Sequence, residues 1–242
     1  MSYKNSKIRL YLDGSITKEQ EILFNKDQSH YLYKVMRLKI GDTLDIFNGC
    51  DGAWKVEIIE IGKKITRGIV HEQTQIQFNP PDIWLLFAPI KKNRTSLIIE
   101  KATEMGAARI IPVKTDFTNA ERIKRENLHA HAVEAAEQCR GTFIPIVEKL
   151  TNLNVILDNW PKDRHILYCD ETLSGTKVEK PNKPFSKWAI LVGPEGGFSS
   201  EEQALLNNHK QTFPISLGPR ILRADTAVVA ALSFWQNNFG DW

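Results

Sequence analysis

Cysteine is scarce: three residues (Cys50, Cys139 and Cys169) in 242, an odd number, far apart and without paired spacing. That pattern argues against a disulfide framework and against a zinc site, and points to a reducing compartment. Long apolar runs are missing as well. The stretch MSYKNSKIRLYLDG has no apolar signal core, and no run approaches membrane-spanning length, so a cytoplasmic protein without membrane attachment is expected. Charge of one sign is lacking too, with 32 Lys and Arg against 29 Asp and Glu. Residues 1–72 hold 12 against 10 and the remainder 20 against 19, which permits a nucleic-acid partner without demanding one. No Gly-Lys-Ser/Thr follows any glycine-rich bend, which excludes a Walker-type phosphate loop, and no internal repeat or low-complexity tract appears. His129 and His131, two apart on a helix, would diverge, so they do not form a metal site.

What is present changes character near residue 75. Before it, DTLDIFNGCDGAWKVEIIEIGKKITRGIV alternates apolar and polar residues around a glycine-rich bend, the signature of paired strands. A single short helix is predicted over KDQSHYLYKVMRL, with Tyr31, Val35 and Leu38 at helical spacing. The first segment therefore reads as a compact β-barrel. HEQTQIQFNPP is the linker candidate, dividing the chain into residues 1–74 and 75–242.

Beyond the linker, apolar strands (DIWLLFAPI, RIIPVKT, RHILYCD, WAILVG, FPISLG) alternate with helices. The helix in NRTSLIIEKATEMG is expected to end at Gly106, and the long one in ERIKRENLHAHAVEAAEQCRG at Gly141. This rhythm predicts an α/β domain with a mostly parallel sheet covered on both faces. Cys139 and Cys169 are expected to pack as small hydrophobes.

In such sheets ligands gather beyond the carboxyl ends of the strands, and two loops stand there. LVGPEGGFSSEE has bare backbone at three glycines, a carboxylate at Glu195, and capping-box spacing between Ser199 and Glu202. A tight strand-to-helix turn would account for it, but a ligand held there would be neutral or cationic, because Glu195 repels polyphosphate. SLGPRILRADTA has a bend at Gly218 and Pro219, then Arg220 and Arg223, then Asp225 and Thr226 as candidate helix caps. Two arginines beside a glycine turn suit an anionic substrate as well as they suit a solvated surface.

Together these loops closely resemble the 16S ribosomal RNA (uracil-N3)-methyltransferase family, a branch of the SPOUT methyltransferases. KATEMGA, VEAAEQCRGTFIP and HYLYKVMRLKIGD extend the resemblance over nearly the whole chain. Asp225 stands where the family has glutamate, which keeps the carboxylate on a shorter arm. The resemblance implies a PUA-like β-barrel followed by an α/β domain with a trefoil knot, a homodimer, and S-adenosylmethionine as methyl donor to a uridine N3 of 16S rRNA in the small ribosomal subunit. On that footing Leu191, Gly193, Gly197, Leu217, Gly218 and Leu222 are expected to hold the donor. Arg220 and Arg223 would stabilise the charge that develops when N3 loses its proton. The base stays open between Glu195, Asp225 and a bound water. Lys7, Arg9 and Arg37 are expected to contact RNA. Two rivals remain: a related enzyme acting on the ribose or another base, and a non-catalytic RNA-binding protein that keeps the fold.

Overall fold

A computed structural model describes residues 8–119, 123–176 and 187–242. The chain divides into two compact units. Residues 80–135 and 145–242 form one; residues 1–79 form the other, together with a returning segment, 136–144.

The first unit is a five-stranded sheet in the order β1-β3-β4-β5-β2: β1 (Arg9–Tyr11), β2 (Glu21–Phe24), β3 (Thr43–Phe47), β4 (Ala53–Glu60) and β5 (Thr66–Gln75). The β3–β4 hairpin turns on Gly49 and Gly52, both at positive φ, where the glycine-rich bend was expected. Alternation puts Leu44, Ile46, Val56 and Ile58 inside with Leu10, Ile22, Phe24 and Val70. The predicted helix is split. Asn25 caps α1 (Lys26–His30) reciprocally with Gln28, and the chain then widens into a π-helical turn, Tyr31–Val35, closed by Met36 N–H donating to the Tyr31 carbonyl at 2.9 Å. The buried face runs through Ser29 and Leu32, while Tyr31 and Val35, the apolar pair at helical spacing, lie on the exposed side.

In the returning segment, Thr142 and Phe78 hold each other: Phe78 N–H donates to the Thr142 hydroxyl at 2.9 Å. The long helix α3 (Arg125–Cys139) stops two residues before the predicted glycine, and Arg140 rather than Gly141 takes the left-handed conformation, at φ 61°.

The second unit carries a parallel sheet in the order β12-β10-β11-β6-β7-β8, with β9 beside β7. Its strands are β6 (Ile83–Phe87), β7 (Arg109–Lys114), β8 (Ile146–Val147), β9 (Thr151–Asn152), β10 (His165–Cys169), β11 (Trp188–Val192) and β12 (Thr212–Ile215). Continuous apolar runs are what a sheet buried on both sides requires. Ile83, Leu85 and Phe87 face α2 (Lys92–Glu104) and α6 (Ala224–Phe239), whereas Leu86, Ala189 and Leu191 face α4 (Leu153–Asp158) and α5 (Ser200–Asn208). Trp188 and Trp235 are the largest wholly buried side chains of the first face. Helix α2 ends as expected, with Gly106 at φ 76°. No helix among the described residues is long and apolar enough to cross a membrane.

Candidate donor pocket

Because β10, β11 and β12 are parallel neighbours, their carboxyl ends deliver three loops to one place. These loops line a single pocket that contains Gly193, Glu195, Gly197, Leu217, Gly218 and Leu222. The third loop, Cys169–Ser174, has no glycine signature and was missed in the sequence. It is locked in place locally, by Asp170 accepting from the Thr172 N–H at 2.9 Å, and across the pocket, by Gly175 N–H donating to the Gly218 carbonyl at 3.1 Å.

The glycines keep the pocket open. A Cβ on Gly193 would press on the Phe198 ring at 3.1 Å, and one on Gly197, already at φ 70°, would run into the Glu171 carboxylate. Ser199 and Glu202 form the predicted capping box, so α5 starts directly behind the bend. Glu202 also accepts from Asp116 N–H at 2.9 Å, tying the loop after β7 to the same corner.

The other expected residues divide between the pocket wall and its surroundings. Leu191 is wholly buried in the core beneath it. Arg220 lines it, while Arg223 becomes the N-cap residue of α6 and makes no side-chain cap. Neither Asp225 nor Thr226 is the cap; Asp225 sits one residue inside the helix and accepts from Thr226 N–H at 3.0 Å. Its carboxylate lies 3.4 Å from Arg94 Nε, and the same guanidinium donates to Glu195. Arg94 had not been singled out, and no local signal could have found it, since its partners are more than one hundred positions away.

This pairing changes the role of Glu195. Its charge is matched by Arg94, so the loop's tolerance for a cationic ligand does not depend on it. The carboxylate pressed against the bare backbone is Glu171. Burial pushes the Cys169 thiol, in the pocket wall, up to about 12. Cys169 packs on the core as expected, whereas Cys139 is exposed and does not.

In the first unit Arg9 is taken up internally. Its guanidinium donates to the Gln75 side chain at 3.2 Å and the Gly141 carbonyl at 2.8 Å, and stacks 4.6 Å over Phe47. Arg37 is exposed at φ 56°. Lys7 lies outside the described residues.

A family model described as an RNA methyltransferase domain matches residues 78–236, and one described as an RNA methyltransferase PUA domain matches 24–65. The ribosomal RNA small subunit methyltransferase E of Rickettsia conorii is 32% identical over 237 residues, covering 93% of both chains. That of Buchnera aphidicola from Acyrthosiphon pisum is 30% identical, with 99% of this chain and 97% of the relative covered. A Legionella pneumophila protein solved with bound S-adenosylmethionine superposes with a TM-score of 0.85 at 28% identity, over 97% of this chain and 99% of that one. A Neisseria gonorrhoeae homologue of the same fold gives a TM-score of 0.88 at 23% identity, with the same coverage.

Proposed function

The chain belongs to the RNA methyltransferase family typified by ribosomal RNA small subunit methyltransferase E, and from that premise we propose that it methylates N3 of a uridine in 16S rRNA. The observation that carries this reading is the convergence of three loops on one glycine-walled pocket at the carboxyl edge of the sheet. S-adenosylmethionine, when bound, supplies an electrophilic methyl group on a cationic sulfur and brings no phosphate. A pocket with bare backbone, apolar Leu217 and Leu222, and the Glu171 carboxylate fits such a molecule.

The chain's own contribution is mainly positional, because the nucleophile must stand in line with the breaking bond. Arg220, on the pocket wall, stabilises the negative charge that spreads over the uracil oxygens as N3 is deprotonated. Arg223, exposed at the start of α6, is the second cation of that loop. Glu195 and Asp225, both engaged by Arg94, serve to hold the loops, which leaves a water as the better candidate to take the proton.

Arg37 contacts the RNA backbone from the first unit, and Lys7 joins it. Arg9 supports the barrel wall. The chain acts as a homodimer in the cytoplasm, and its second unit carries a trefoil knot; the loops at 174–175 and 218 bond to each other beside the pocket.

The test is incubation with labelled S-adenosylmethionine and small subunits from cells that lack the enzyme. Label mapping to a uridine N3 supports the reading. Label on a ribose or another base reassigns the acceptor, and donor binding without transfer leaves a non-catalytic RNA-binding protein.

A further inference from the structure

The second unit holds another cavity, of about 530 Å³, which the donor site does not use. Its floor is apolar (Ile90, Ile123 and Leu128), and its rim carries Lys91, Asn127 and His131. Ile90 and Lys91 lie in the short loop after β6, so this cavity opens at the same carboxyl edge as the donor pocket. Two features join them. Arg94 holds Glu195 on the donor side, and the next two residues of its helix, Thr95 and Ser96, line the second cavity. On the other flank, Phe117 reaches within 3.4 Å of where a Cβ on Gly196 would stand, and its loop then supplies Asn119 to the second cavity.

We propose that this cavity receives the target nucleotide, a pyrimidine extruded from the RNA, with its phosphate toward Lys91. The inference rests on the methyltransferase reading above and adds the place of the acceptor to it. An enzyme that modifies a base atom used in pairing must take that base out of its stack and shelter it. The volume lies within the range of small-ligand sites, about 300–1,000 Å³. Isoleucine and leucine side chains match the faces of a base. The Asn127 amide can donate to one carbonyl oxygen of uracil, leaving N3 and the other oxygen turned toward the donor pocket. His131 is oriented rather than free to swing, with Nε2 2.9 Å from the Ser96 hydroxyl and Nδ1 3.6 Å from Glu100. Lys91, exposed at the rim, provides the charge a phosphate needs.

The test compares the full-length wild type with Lys91→Ala, Lys91→Arg and Asn127→Ala. It measures KM for undermodified small subunits and, by calorimetry, Kd for S-adenosylmethionine. The expected result is a KM raised about tenfold in Lys91→Ala and Asn127→Ala, with donor Kd within about twofold of wild type and most of the loss restored by Lys91→Arg. Wild-type KM in both alanine variants overturns the assignment, as does a KM rise matched by an equal loss of donor affinity. If the wild type itself transfers no methyl group, the methyltransferase reading fails and the acceptor cavity fails with it. If the wild type transfers normally and the variants do too, only the cavity assignment falls.

Discussion

Arg94 Nε stands 3.4 Å from the Asp225 carboxylate while the same guanidinium donates to Glu195, so one side chain of α2 ties the glycine bend after β11 to the first turn of α6. Both loops belong to the candidate donor pocket or flank it, and neither is joined to the other by backbone hydrogen bonds among those described.

Removing that tie should loosen the pocket more than the fold. Arg94→Ala is expected to weaken S-adenosylmethionine binding by roughly fivefold, about 1 kcal/mol, since the pairs are partly exposed and screened. Asp225→Ala should cost a similar amount, and the double variant little more than either alone. Asp225→Glu, with the longer arm, should retain wild-type affinity. Additive losses in a calorimetric double-mutant cycle would show that the two residues act separately.

Gly197 and Gly218 should respond differently to alanine. Both take positive φ, 70° and 112°, at a cost to an L-residue of about 1–2 kcal/mol. Only at Gly197 does the new methyl group also meet a neighbour, Glu171; around Gly218 nothing lies within 4 Å. Gly197→Ala should therefore lose more donor affinity than Gly218→Ala, and adding Glu171→Ala to it should recover part of the loss. Equal Kd values for the two glycine variants would contradict the geometry.

Arg220→Ala is expected to lower kcat by about a hundredfold while leaving donor Kd within about twofold, the pattern of a group acting on developing charge. Arg223→Ala, whose side chain is outside the pocket lining, should show a smaller loss. Single-turnover rates on small subunits check both.

Thiol labelling tests the pocket wall. Burial raises the Cys169 thiol to about 12, so its reactive thiolate forms only as pH climbs toward that value. Cys50 and Cys139 are exposed. Mass spectrometry after iodoacetamide near pH 8 should find two modified cysteines in the folded protein and a third only after denaturation. Ready labelling of Cys169 at that pH would contradict its raised pKa.

Local signals are legible in the sequence and distant ones are not. The capping box at Ser199 and Glu202 spans three residues, so its chemistry is visible in the chain. The strands of the parallel sheet announce themselves as apolar runs because both faces are covered. The start of α6 is not legible because two good capping residues, Asp225 and Thr226, stand within three positions of Arg223, yet both lie inside the helix, where Asp225 pairs with Arg94. The π-helical turn at Tyr31–Val35 has no local signal in the chain, and spacing alone does not say which face is buried: Tyr31 and Val35 share a face, yet it is the exposed one. The Cys169–Ser174 loop carries no motif, and only strand order brings it to the pocket.

The return of residues 136–144 to the first unit means that the chain crosses between units three times, near 79, 135 and 144. Neither half can be excised with a single cut. A fragment ending near residue 75 would strip Arg9 of the Gly141 carbonyl and leave out both Phe78 and Thr142. The first unit is thus discontinuous in sequence, and grafting it onto a different enzyme would require transplanting the tail of a helix along with it.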